Sequence, residues 1–293
     1  MRRRNISITI VLPAALAVLL LSSCNTKSSE TMKMLETDQL IPWCIVPFDA
    51  NYRTPLERAE MLNELGMSKL AYDYRDRHLP LFEEEIKVLH EHNIELSAVW
   101  FWIQEGEGQL LDSTSEFILS TIEKTGTETS LWVSFPDSYF SALRDDEKLK
   151  KAVSTIGQLN ERVEKAGCNI ALYNHGDWFG EPENQVKIIQ ALGSDNISMV
   201  YNFHHGHHHI ERFNELVPLM LPYLSVLNLN GMNEGGPKIL DIGKGEEELW
   251  MLKAVIDAGY KGEFGFIGHT EGEDIKIVLQ RNLQGLEILR KEL

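Results

Sequence analysis

Histidine is the residue this chain concentrates. Five of its ten histidines fall within six positions of "YNFHHGHHHIERF" (201–213): His204, His205, His207, His208 and His209. An imidazole changes charge near neutrality and so moves protons, and its lone pair ligates late transition metals. His175, in "NIALYNHGDWFG", and His269, in "FGFIGHTEGED", share one setting with His204 and His205, an apolar run that ends in polar residues. Around them stand the amides of Asn174, Asn202, Asn228 and Asn230, the Tyr173 phenol and the carboxylates of Asp177 and Glu271. Trp100, Trp102 and Trp178 offer ring faces that suit a sugar as well as they suit a protein wall.

Positioning these groups requires regular elements, and the chain alternates accordingly. Short apolar runs rich in Val, Ile and aromatics read as buried strands at 43–49, 69–74, 95–102, 130–135, 169–175, 198–204, 225–231 and 263–269. Each is followed by a segment with apolar residues at helical spacing. The first, "TPLERAEMLNELG", has Thr54 as N-cap, Pro55 at the first helical position and Gly66 at its close. Eight strand–helix units predict an α/β fold, a single-domain (β/α)8 TIM barrel over 40–293. A doubly wound open sheet fits less well, because no G-x-G-x-x-G follows the first strand. Barrel chemistry sits at the C-terminal ends of the strands, where the polar residues above collect. Period-2 alternation predicts that Asn202 and His204 share one face, as do Tyr173 with His175 and Asn228 with Asn230. The turn after Gly206 is expected to leave His207, His208 and His209 facing solvent at the opening of the sixth helix.

The N-terminus is of another kind. "MRRRN", the 16-residue apolar run "ISITIVLPAALAVLLL" and "LSSC" have the layout of a secretory signal over 1–23. Leu21-Ser22-Ser23-Cys24 resembles the bacterial lipobox, which implies lipidation at Cys24, a tether over 24–39 and a cell-envelope location on the outer membrane. Membrane contact is then through the lipid alone. Cleavage lowers the 28 basic side chains to 25 against 44 acidic ones, a net charge near −19. That balance excludes nucleic acid as a partner and fits a heavily phosphorylated substrate poorly. Cys44 and Cys168 are expected as unpaired buried thiols.

The segments "NIALYNHGDWFGEPENQ", "VYNFHHGHHHIERF", "LPYLSVLNLNGM" and "YKGEFGFIGHTEGEDIKIVLQRNLQGLEIL" resemble the xylose isomerase-like barrels, the sugar phosphate isomerases and epimerases. The resemblance implies one divalent metal held by a Glu, an Asp, a His and a Glu ending strands 5 to 8, with the two glutamates moving a proton between sugar carbons. This chain departs at each place: Tyr173, Asn202 and Asn228 replace the first three, and the fourth falls near Ile267 or Gly268. His205 matches the histidine of the family's Asp-x-x-His pattern.

Two arrangements follow. His175, His204 or His205, and His269 form a replacement site for one divalent metal, Zn or Mn, or the histidines act as acid and base without one. Either way the expected enzyme handles a non-phosphorylated sugar or keto-sugar by proton abstraction next to a carbonyl, giving isomerisation, epimerisation or elimination. Its catalytic groups are His175, His205, His269, Asp177 and Glu271. Tyr173, the four asparagines and the three tryptophans bind substrate. The rival is a non-catalytic carbohydrate-binding lipoprotein on a degenerate barrel. A DNA-repair nuclease on the same barrel lacks the carboxylates and the basic groove it would need.

Overall fold

In a computed structural model, residues 32–293 are described except 105, 107 and 108. The signal, the lipobox and Cys24 lie outside them. Eight parallel strands form the centre: β1 (Ile41–Trp43), β2 (Lys69–Tyr72), β3 (Glu95–Trp102), β4 (Ser130–Ser134), β5 (Asn169–Tyr173), β6 (Ile197–Asn202), β7 (Leu224–Leu229) and β8 (Glu263–Ile267). They run in the order β1-β8-β7-β6-β5-β4-β3-β2, so β8 pairs back onto β1 and the sheet curls into a barrel. The helices α1 (Pro55–Glu64), α2 (Phe82–Glu91), α3 (Ser113–Thr125), α4 (Asp145–Lys165), α5 (Pro182–Leu192), α6 (Phe213–Met220), α7 (Glu248–Asp257) and α8 (Ile275–Arg290) return the chain between strands and close it after β8. The expected (β/α)8 barrel is what the chain forms.

Local chemistry sets the element ends. Thr54 and Glu57 form a reciprocal capping box at α1, with Pro55 supplying a preset φ and no orphan N–H. Asp112 caps α3 by accepting the Ser115 N–H, and Asp274 caps α8 by accepting the Lys276 N–H. Leu35, inside the segment expected as tether, is already buried against the barrel. Among the described residues no helix is long and apolar enough to cross a membrane.

Most expected strands overrun the observed ones at the C-terminal end, and the reason is local. β1 stops at Trp43 because Cys44 adopts φ 56°, a left-handed conformation that ends an extended run. Cys44 is therefore the exit from β1 into the barrel mouth. It is half-buried and free, whereas Cys168 is buried and free. β6 stops at Asn202, whose side-chain Oδ1 accepts the His204 N–H and bends the chain into a 3-10 turn over Phe203–His205. The expected shared parity of Asn202 and His204 is lost at that bend.

The interior below the mouth is aromatic. Trp43, Trp100, Trp132 and Tyr173, from four different strands, pack with ring centroids 5.0 to 5.7 Å apart. The cluster is a floor on which the polar residues at the strand ends rest.

Candidate active site

The mouth holds a cavity of about 500 Å³. Trp43, Trp100, Trp102 and Tyr173 line it together with His175, His204, His205 and His269, His175 standing edge-on to Trp102 at 5.3 Å and His205 to Tyr173 at 5.7 Å, and Asp73 and Arg75 enter from the end of β2. His175 and His205 face each other edge to face with ring centroids 4.8 Å apart. His204 lies 4.4 Å from His205 and 5.9 Å from His269, whose ring packs on Phe48 at 3.7 Å. The four imidazoles expected at the mouth are thus one continuous arc.

Burial dominates their proton affinity. Desolvation holds His175 and His204 below the usual histidine value and takes His269 down to about 4. His205 falls furthest, because burial is joined by repulsion from His204 and His175. In all four, burial favours the neutral form of the ring. His175 Nδ1 is buried without a hydrogen-bond partner among the described residues. His204 Nδ1 meets the Lys238 carbonyl at 2.9 Å.

Tyr173, at the end of β5, is placed by two donors. The indole N–H of Trp43 donates to its hydroxyl oxygen at 2.8 Å. Asn202 donates to the same oxygen through Nδ2, an orientation fixed because its Oδ1 is taken by the His204 N–H. Two accepted hydrogen bonds stabilise negative charge on that oxygen and leave its own proton available to donate. Burial still raises the phenol far above its usual value, with the two donors opposing.

The asparagines divide. Asn174 exchanges two hydrogen bonds with the Asn202 backbone, N–H to Oδ1 at 2.7 Å and Nδ2 to carbonyl at 3.1 Å. Asn230 ties the loop after β7, donating to Gly231 and Lys238 carbonyls and accepting from the Leu240 N–H. Asn228 is fully buried with both amide atoms unpartnered among the described residues, level with Asn202 on β6 and Gly265 on β8. A side chain at 265 would meet its Oδ1 at 2.0 Å, so glycine there makes room for the amide. Trp178 lies outside the mouth, against Phe140 and under the Lys148 ammonium. Asp177 is exposed at the rim of a neighbouring cleft, and Glu271 is exposed and lines neither cavity.

The structure adds groups the residue pattern did not single out. Asp73, 3% exposed, accepts from the Val46 N–H at 3.4 Å, and its charge adds to burial in raising the Cys44 thiol. Burial raises its carboxyl to about 7, against the pull of Arg75. Its place at the end of β2 was visible, but the depth of its burial depends on the turn at Cys44.

His209 corrects the sequence reading. It is 1% exposed, its Nδ1 2.9 Å from the Tyr201 hydroxyl and its Nε2 3.1 Å from Glu181 Oε2. Residues His207–Arg212 form a 3-10 turn, in which three successive side chains point in three directions. His207 reaches the Asn233 carbonyl at 2.9 Å, His208 is exposed with Nε2 3.0 Å from Glu181 Oε1, and His209 goes inward. Gly206 permits this, since a Cβ there would stand 2.4 Å from the Tyr201 hydroxyl.

No family model and no curated protein matches the chain. Solved structures do. The 3-keto-D-glucoside 4-epimerase of E. coli aligns with TM-score 0.65 and 15% identity over 86% of this chain and 98% of that one. A D-psicose 3-epimerase of Clostridium cellulolyticum H10, solved with D-tagatose, gives 0.63 and 14% over 86% and 98%. A xylose isomerase-like TIM barrel protein of Mycobacterium smegmatis, in complex with magnesium, gives 0.55 and 13% over 86% and 96%. At such identities the likeness establishes the architecture alone: the chain shares the (β/α)8 barrel fold of these structures.

Among the described residues the mouth does not assemble a ligand set for a metal such as the magnesium of the Mycobacterium smegmatis structure. Among the described residues the mouth histidines bring no three donor atoms within 4.8 Å of one another; Glu181, His208 and His209 do.

Proposed function

We propose that the protein is an enzyme that moves a proton at a carbon next to the carbonyl of a non-phosphorylated sugar or keto-sugar. The observation that carries this reading is the pair His175 and His205, ring centroids 4.8 Å apart and both held toward the neutral form by burial, beside the Tyr173 hydroxyl and an aromatic floor. A neutral imidazole takes the proton from the α-carbon, and the C–H electron pair becomes the C=C bond of an enediol or enol. The carbonyl oxygen that receives the displaced pair is met by the Tyr173 O–H, whose oxygen is supported by the Trp43 and Asn202 N–H groups. Return of the proton to the other face gives an epimer, and its return to the neighbouring carbon gives an isomer. Loss of a group β to the carbonyl gives elimination. The tryptophan faces suit the apolar side of a sugar ring, and Arg75 suits its oxygens.

The sugar epimerases among the similar folds support the substrate class. So does the acidic balance of the chain, which disfavours phosphate esters. The sequence before residue 32 supports a lipid-anchored envelope location, checked by the mass of the N-terminal peptide after expression in a bacterial host.

One observation favours a binding module instead: Asn174, Asn202 and Asn230 are consumed by the fold and do not reach into the mouth. Incubating the protein with keto-sugars in deuterium oxide separates the two. Deuterium appearing at the carbon next to the carbonyl supports the enzyme; binding without exchange for every sugar bound supports the module.

A further inference from the structure

We propose a second site, for a late first-row dication such as Zn²⁺, built by Glu181, His208 and His209 outside the barrel mouth. The three donor atoms converge within 4.8 Å, with His208 Nε2 3.0 Å from Glu181 Oε1 and His209 Nε2 3.1 Å from Glu181 Oε2. A tetrahedral zinc with bonds of about 2.0–2.1 Å places neighbouring donor atoms roughly 3.3 Å apart, so only small shifts admit the ion. Two imidazoles and a carboxylate are a donor set that favours zinc over the hard cations.

The surroundings are those of a ligand set. His209 is fully buried, and its remaining nitrogen, Nδ1, is held by the buried Tyr201 hydroxyl at 2.9 Å. That contact fixes the ring as an outer-shell partner fixes a metal-bound imidazole. Arg212 spans Glu181 and Glu183 and keeps the Glu181 carboxylate aimed at the histidines. Glu181 and His208 line a cleft with Asp137, Asp177, Glu211 and Glu234 against Lys238, an acidic balance that favours dications even with Arg212 paired to Glu181. His175, His204 and His205 line both this cleft and the mouth, so they stand between the ion and the proposed catalytic cavity. Glu181 opens α5 and the histidines open the segment leading to α6, so the ion ties together the loops that follow β5 and β6.

The test is titration of the purified, chelator-treated protein with Zn²⁺ alone, by calorimetry and by metal analysis after desalting. One equivalent is expected. His208→Ala removes an exposed side chain, and Glu181→Gln keeps the shape of the carboxyl. Each weakens binding by about tenfold or more, the lower bound for disturbing a metal's ligand environment, while His269→Ala binds as the parent does. Co²⁺ in place of Zn²⁺ gives visible absorption that disappears in His208→Ala. The proposal fails if no Zn²⁺ binds, or if binding survives both His208→Ala and Glu181→Gln and is lost in His175→Ala or His269→Ala. Neither outcome touches the deuterium-exchange test of the mouth.

Discussion

Only two residues separate His205 from His208, yet the groups of histidines they belong to are opposite in chemistry. His204 and His205, with His175 and His269, sit in an aromatic cavity and make no ion pair with a carboxylate among the described residues, so burial favours their neutral form. His208 and His209 share one carboxylate between them, and their hydrogen bonds hold Glu181 down to about 2. The difference teaches that position relative to carboxylates, more than histidine count, decides whether an imidazole serves as a base or as a ligand.

The largest effect expected from breaking this contrast is on turnover. His175→Ala or His205→Ala lowers the rate of deuterium exchange by about 10²–10⁴-fold, the range for a general acid or base, with a far-ultraviolet dichroism spectrum like the parent's. Next comes Tyr173→Phe. It removes a hydroxyl that meets developing charge and costs about 10²–10³-fold in kcat, with KM changed far less. On the other side of the contrast, His209→Ala leaves the Tyr201 hydroxyl buried without its partner. Denaturant titration should show a loss of about 1–3 kcal/mol, while His208→Ala stays within a few tenths.

The smallest effect is on the pH dependence of stability. Asp73 holds its proton to about pH 7 in the folded state and to its ordinary, lower value when unfolded. Its contribution is therefore complete at acid pH and lost as pH rises through 7. His269 works the other way: lowered to about 4, it contributes above the ordinary histidine value, and that contribution is lost as pH falls toward 4. Asp73→Asn removes the first trend and leaves the second, so its stability relative to the parent rises between pH 5 and 8. Equilibrium denaturation at the two pH values checks it; an unchanged difference means that Asp73 is solvated in solution.

The fold was legible because alternation of short apolar runs with amphipathic segments is a property of sequence alone. Thr54, Pro55 and Gly66 mark an element without reference to any distant residue. The strand ends were less legible. Alternation carries no sign of the left-handed Cys44 or of the bend that Asn202 imposes, so parity arguments ran two residues too far into His204. The role of each amide was hidden for a different reason. Asn174 and Asn202 answer each other from neighbouring strands, 28 positions apart. No local pattern distinguishes that exchange from a pair of groups waiting for a substrate. The inward turn of His209 was hidden because the helical period expected after Gly206 is replaced by three residues per turn.

Gly206 is the one residue of the six-position run that carries no imidazole. The Tyr201 hydroxyl occupies the space where its side chain would begin, and that hydroxyl is what reaches His209. Even alanine at this position would drive the ring aside, releasing His209 from below while pressing on the turn that carries His204 and His205. Tolerance to substitution along "HHGHHH" should therefore run against chemical intuition. The exposed His208 should accept replacement in a folding screen, and the residue with no functional group at all should be the first to fail it.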